Sequence, residues 1–369
     1  MYHTLIQKRI RRLGLLHSAT LELTYSCNLD CFFCYNDTDA QGVPLSFEQY
    51  RRLLEDLAEM QVLFLTLTGG EPLAHPRFFE IAALARTLGF ALRVKSSGHA
   101  VRGEIARRLR DEVNPMDVEM SLHGATPTTH DRQTRVPGSF ERLVENIEGM
   151  RAIGLRASLV STLTAWNADE IEAMYDLAER LEVRLRWQGP VSPRDNGDRE
   201  PLSIQPSVAQ WDRWQVVATV RNAPPVAAEC EGADGQQDSA GDALVRDMHG
   251  DEEPYHCGIG GGDILIDPFG NLYPCLHVRW SAGNLHEQSV KEIWAGEKGA
   301  FRRARDLSVA TAKRFATERP TQLNAPLYCP GVELKLQGEQ PERAAVPLST
   351  LQGELARFRR PRVAAGGGG

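Results

Sequence analysis

The chain has 369 residues, 42% hydrophobic and 25% charged, with a formal net charge of −7. That length holds a large domain and a smaller one with ample core, and the acidic balance provides no basic field for nucleic acid. No apolar stretch reaches the length of a membrane span and the N-terminus lacks the apolar region of a signal peptide, which predicts a cytoplasmic protein with neither nucleic acid nor membrane as partner.

Residues 1–17 read as an N-terminal extension whose basic run, Lys8–Arg12, is a solvated face. From residue 18 to 204 strand-like and helix-like segments alternate. The strand candidates are Ala19–Tyr25, Val62–Thr68, Ala91–Ser96, Asp117–Leu122, Leu155–Leu163 and Val183–Gln188. Between them, Ser46–Met60, Arg77–Leu88, Gly103–Asp111, Ser139–Ile153 and Ala168–Leu181 carry helical period. Ser46 and Gln49 form a capping-box pair, and Ser139 is read as opening its helix in the same manner. Six such units predict an α/β fold with a parallel sheet covered by helices, whose ligands bind beyond the C-terminal ends of the strands.

A turn-rich stretch leads out of this region, and 205–254 reads as a helix, about Pro206–Asn222, followed by an acidic flexible linker. Within 255–335, Ile264–Asp267 and Leu272–Leu276 flank Pro268-Phe269-Gly270-Asn271 as a β-hairpin. Residues 336–369 offer a helix near Ser349–Arg359 and a glycine tail.

Seven cysteines in a cytoplasmic chain are poor material for a disulfide framework, which favours metal ligation where they cluster. Three do so in Cys27-Asn28-Leu29-Asp30-Cys31-Phe32-Phe33-Cys34, directly after the first strand. Three thiolates are one too few for a closed zinc site or a fully ligated cubane. In a loop, this spacing lets three sulfurs reach three corners of a 4Fe-4S cube, leaving the fourth iron open to a small chelating molecule. Phe32 and Phe33 would keep water from it. Three buried free cysteines, or a zinc site completed by a distant histidine, are the competing readings. Gly69-Gly70-Glu71 ends the second strand, where paired glycines permit close backbone approach.

Cys27-x3-Cys31-x2-Cys34 followed by Thr68-Gly69-Gly70-Glu71-Pro72 resembles the signature of the radical S-adenosylmethionine (SAM) superfamily. The resemblance implies a partial (β/α)6 TIM-type barrel over 18–204. It also implies a 4Fe-4S cluster on Cys27, Cys31 and Cys34 that binds SAM. The cofactor contacts it implies are Phe33, the Gly69 and Gly70 backbone, Glu71, Ser96, Ser121 and Val160. Glu71 would face the methionine ammonium, Ser121 a ribose hydroxyl or the methionine carboxylate, and Val160 the adenine. Ser96-Ser97-Gly98 stands where relatives carry Thr-Asn-Gly, and His123 replaces a common acid. Arg194 is a further candidate for a carboxylate contact.

Four cysteines remain, Cys230, Cys257, Cys275 and Cys329, the number that closes a second cluster. Gly270-x4-Cys275 in a hairpin, and Ser289–Trp294 after Gly283-Asn284-Leu285, resemble the C-terminal auxiliary-cluster domains called SPASM and twitch. No further dense cysteine run follows, so the resemblance implies one auxiliary 4Fe-4S cluster in a small hairpin-and-helix domain. Cys230 is the open member; without it, His256 or His277 could supply the fourth ligand.

The reaction implied is reductive cleavage of SAM to a 5′-deoxyadenosyl radical that takes hydrogen from a substrate, the auxiliary cluster accepting an electron or anchoring that substrate. A peptide or protein side chain is the favoured substrate, and a small-molecule cofactor precursor of haem or quinone type the alternative. The implied partners are an external electron donor of flavodoxin or ferredoxin type and a separate peptide-recognition protein. An iron–sulfur electron-transfer protein is the competing class, against which Gly69-Gly70-Glu71 counts.

Overall fold

The computed structural model describes residues 9–10, 13–222, 255–296, 299–318 and 328–338. The first six strands are β1 (Ser18–Glu22), β2 (Phe64–Thr68), β3 (Ala91–Ser96), β4 (Asp117–Ser121), β5 (Ala157–Thr162) and β6 (Arg184–Gln188). They pair in parallel and in sequential order, an unclosed barrel-like sheet. Its helices are α1 (Phe47–Glu59), α2 (Phe78–Thr87), α3 (Gly103–Arg108), α4 (Pro127–Thr134), α5 (Ser139–Ala152) and α6 (Ile171–Arg180). Helix α7 (Val208–Arg221) follows the barrel.

Side-chain period explains the layering. In α1, Tyr50, Leu53, Leu54 and Leu57 are buried, the i, i+3, i+4, i+7 set that forms one face. That face meets Leu21, Leu65, Leu67, Leu92, Val94 and Met120 in a single core. Alternate strand residues point into the barrel. There Arg186 reaches Asp117 at 3.1 Å and Ser158 at 3.1 Å, while Lys95 meets Glu119 at 2.8 Å. The lumen is therefore polar and laced with ion pairs, unlike the helix side.

The hairpin does not form a sheet of its own. β7 (Asp263–Ile266) pairs in parallel with β1, and β8 (Asn271–Tyr273) and β9 (Gly283–Asn284) extend the sheet antiparallel. At the turn Gly270 takes φ +82°, and the Asp267 carboxylate accepts the Phe269 and Asn271 amides, each at 2.9 Å. Helices α8 (Val290–Gly296), α9 (Ala300–Glu318) and α10 (Pro330–Leu336) complete the described chain. Ser289 and Glu292 form a reciprocal cap on α8.

The Ser46–Gln49 capping box is present, but Ser139 does not cap its helix. Gly138 is the N-cap of α5, and the carboxylate of Asp131 on α4 accepts the Ser139 hydroxyl and the Gly138 and Phe140 amides. The cap is supplied by the neighbouring helix, which a local sequence pattern does not reveal. The acidic linker, Cys230 and Ser349–Arg359 lie outside the described residues.

Candidate active site

The three-cysteine loop leaves β1 at the C-terminal edge of the sheet and is held there on three sides. The Gly70 amide donates to Thr24 O at 2.6 Å and the Glu71 amide to Ser26 O at 2.9 Å. Asn36 Nδ2 donates to Gly69 O at 3.1 Å. A Cβ at Gly69 would lie 2.3 Å from Thr24 O, and one at Gly70 2.5 Å from Ser26 O. The glycines therefore let the end of β2 press against the stem of the cysteine loop.

From a second side, the last carbonyls of α4 accept amides of the loop. Asp30 N–H donates to Thr134 O at 3.1 Å and Phe32 N–H to Gln133 O at 2.8 Å. Helix α4 did not figure among the sequence candidates, although Thr126-Pro127 is an N-cap followed by proline at the first helical position, a usual start signal. From the third side, Arg194 donates to Phe32 O at 2.9 Å and pairs with Asp198 and Glu200, while the Asp195 amide donates to Tyr35 O at 2.8 Å. Arg194 thus positions the loop.

Phe33 packs edge-on to His123 with ring centroids 4.7 Å apart, and Phe32 lies 4.7 Å from Trp166. Arg135 and Arg132 stand over the Phe32 and Trp166 rings. His123 is buried, stacks on His130, and its Nδ1 has no hydrogen-bond partner among the described residues. Burial, then the neighbouring His130, holds its pKa well below the usual value, so the ring is neutral.

Glu71 and Ser96 come together. The buried Glu71 carboxylate accepts the Ser96 hydroxyl at 2.9 Å, the Ser97 amide at 2.8 Å and hydroxyl at 2.7 Å, and the Leu73 amide at 3.2 Å. Burial raises its pKa against those donors. They tie the end of β3 to the end of β2 and take up most of the carboxylate's acceptor capacity. Ser121 and the buried Val160 stand opposite one another in the β4–β5 register.

The donor set suits a cluster better than a single ion. Among the described residues no three His, Cys, Asp or Glu are placed to hold one metal ion, whereas a cubane takes each thiolate at a different iron. The pKa of Cys31 is pushed well up by burial and by Cys34 and Cys27, so three thiolates there call for bound cations. The Leu29 amide lies 3.4 Å from Cys27 Sγ, the kind of contact that orients and tunes a ligating sulfur.

Cys257, Cys275 and Cys329 lie within electrostatic reach of one another. Burial, then Cys329 and Cys257, raises the Cys275 pKa to about 11. Cys257 is fixed through Ser308 of α9, whose hydroxyl accepts its amide at 3.1 Å and donates to its carbonyl at 2.9 Å. Cys329 is the N-cap residue of α10, and a Cβ at Gly331 would meet His277 at 2.8 Å, so that glycine lets α10 close on the Cys275 loop. His256 Nε2 is hydrogen-bonded to Tyr328 O at 2.9 Å, and the His277 ring faces Tyr35.

Residues 21–178 match the family model described as the Radical SAM superfamily, and residues 257–320 match SPASM, described as an iron-sulfur cluster-binding domain. The chain carries a radical SAM domain followed by a SPASM domain. These domains imply a SAM-binding 4Fe-4S cluster and an auxiliary cluster. The AdoMet-dependent heme synthase of Methanosarcina barkeri is 28% identical over 77% of this chain and 83% of that protein. The mycofactocin maturase MftC of Mycobacterium ulcerans is 28% identical over 79% of this chain and 78% of its own. Among solved structures, Streptococcus suis SuiB bound to S-adenosylmethionine superposes with TM-score 0.61 at 14% identity, over 82% of this chain and 69% of that one. Native anSMEcpe with bound AdoMet gives 0.58 at 15%, over 87% and 94%. The fold of this radical SAM enzyme is theirs. No helix among its described residues is long and apolar enough to cross a membrane.

Proposed function

We propose that this enzyme modifies a peptide or protein side chain, with Cys27, Cys31 and Cys34 holding the 4Fe-4S cluster that binds SAM. Cys257, Cys275 and Cys329, with Cys230 as fourth candidate, hold one auxiliary 4Fe-4S cluster. The observation that carries this reading is the convergence of the cysteine loop with the ends of β2 and β3 on one edge of the sheet, together with a second set of cysteines within electrostatic reach of one another. The barrel of 18–204 carries the first set and the region 255–335 the second. Bound SAM, when its sulfonium is reduced, supplies a 5′-deoxyadenosyl radical able to take an unactivated hydrogen.

The chain's own residues orient and shield. The Gly69–Gly70 backbone and Ser121 would hold the polar end of SAM, and Val160 would wall the adenine. Glu71 holds Ser96 and Ser97 in position from behind. Phe33 with His123, and Phe32 with Trp166, keep bulk water from the thiolates. The peptide reading is supported by the maturase relatives, MftC and the PqqA peptide cyclase of Xanthomonas oryzae, the latter 28% identical over 75% of this chain. An external flavodoxin- or ferredoxin-type donor and a separate peptide-recognition protein belong to the same proposal. The second reading, a haem-type cofactor precursor as substrate, is supported by the heme synthase likeness.

Anaerobic reconstitution, iron counting and assay of 5′-deoxyadenosine after addition of reductant and SAM test the proposal. About eight irons and reductant-dependent deoxyadenosine are expected from two cubanes. Half that iron removes the auxiliary cluster, and no deoxyadenosine with any candidate substrate leaves only an electron-transfer protein.

A further inference from the structure

Between the two cysteine sets lies a closed group of buried charges. Arg279 Nη2 meets Glu22 Oε1 at 2.8 Å, Arg279 Nε meets Asp195 Oδ2 at 3.0 Å, and Lys335 Nζ meets Asp195 Oδ1 at 2.5 Å. None of these side chains is more than 5% exposed. Two carboxylates face two cations. The hydroxyls of Tyr25 and Tyr35 donate to Glu22 at 3.0 and 3.2 Å, and Arg279 Nη1 lies 3.0 Å from the Tyr25 hydroxyl. A buried ion network is a poor source of stability, yet this one gathers the end of β1, the cysteine loop, the segment after β6, the Cys275 loop and the helix begun by Cys329.

At its centre two rings touch. Tyr35 follows Cys34 directly, and His277 stands two residues beyond Cys275. Their ring centroids are 6.1 Å apart at 74°. The Arg279 guanidinium lies 5.9 Å and Lys335 Nζ 5.8 Å from the centre of the Tyr35 ring. His277 Nδ1 has no hydrogen-bond partner among the described residues.

We propose that the Tyr35–His277 contact is the path by which one electron passes between the two clusters, and that Glu22, Arg279, Asp195 and Lys335 keep that path dry and oriented. The inference rests on the ligand sets proposed above. One electron leaves the reduced auxiliary cluster and enters the oxidised SAM-binding cluster. No bond breaks and no proton moves, and the electron comes from the external donor or from the substrate radical as it is oxidised. Charges already fixed in place need little rearrangement as the electron passes, which is why balanced, water-free surroundings serve such a step.

Pulse radiolysis of the anaerobic, doubly loaded protein, without SAM or substrate, tests it. A pulse delivering far less than one electron per molecule is followed by absorbance and by freeze-quench electron paramagnetic resonance. Redistribution between clusters is expected to slow roughly tenfold or more in Tyr35→Leu and in His277→Leu, about 1.4 kcal/mol in barrier, with both midpoint potentials unchanged. Tyr35→Phe, which keeps the ring, is expected to hold near the wild-type rate. Unchanged rates in both leucine variants overturn the path, as do shifted potentials with an unchanged rate. About four irons per wild-type chain overturns the ligand sets instead, which separates the two failures.

Discussion

Cys27, Cys31 and Cys34 lie within eight residues of sequence, whereas Cys257, Cys275 and Cys329 come from three segments and meet through tertiary contacts. The first set needs the chain only to make one loop at the end of β1, and surrounding elements then hold that loop from outside. The second set exists only if β7 is laid on β1, α9 anchors Cys257 and α10, through Gly331, closes on the Cys275 loop. A local site tolerates damage elsewhere in the fold. An assembled site depends on every contact that brings its pieces together.

The sharpest test of that contrast is Cys27→Ala against Cys275→Ala. The first is expected to reduce SAM cleavage to background. The second should spare reductant-driven deoxyadenosine formation while losing product. If both abolish cleavage, the two sites are not separable and the comparison fails.

Next comes Arg279→Met, which leaves Glu22 buried without its cation and Asp195 with Lys335 alone. A loss of about 3–5 kcal/mol is expected on truncating such a pair, read as a lower denaturation midpoint. The auxiliary site should shed iron before the loop site does. Equal loss from both would show that the network serves them alike.

The histidine pair beside Phe33 adds a pH signature on the loop side. Burial holds His130 at about 4 against a usual value of 6.5. Between those values the unfolded chain binds a proton that the native chain does not, so stability falls as pH drops through the window. This group contributes at most about 3 kcal/mol. Urea midpoints compared at about pH 7 and about pH 5 should show a smaller acid loss in His130→Asn than in wild type; an unchanged difference excludes His130 as the cause.

The smallest effect concerns the strand ends. Glu71→Gln removes acceptor capacity from Ser96 and Ser97 and is expected to cost about 1–3 kcal/mol. Its KM for SAM should rise more than its kcat falls, since Glu71 supports the pocket from behind. A large fall in kcat with KM unchanged would place the carboxylate in the chemistry instead.

Much of the loop site was legible. The cysteine spacing, the glycine pair ending β2 and the bounds of β3 could be read because each is a short-range pattern. The Ser46–Gln49 cap could be read for the same reason. The cap on α5 could not, because Asp131 reaches it from another helix. Helix α9, nineteen residues long, was not anticipated. The donors that Ser96 and Ser97 present to Glu71 at the end of β3 could not be read, because only the parallel pairing of β2 with β3 brings them to it.

The sequence alone determined the alternation of strands and helices, the loop with three closely spaced cysteines, and the count of cysteines left outside it. These follow from side-chain period and from ligand number, which are properties of neighbours in the chain. Only the tertiary structure decided that the hairpin continues the barrel's sheet, that Arg194 and α4 hold the loop, and that Arg279 joins Glu22 to Asp195. Arg279 and Glu22 stand 257 residues apart. A charge buried at that distance finds its partner through the fold, because desolvation makes pairing obligatory without specifying where along the chain the partner lies.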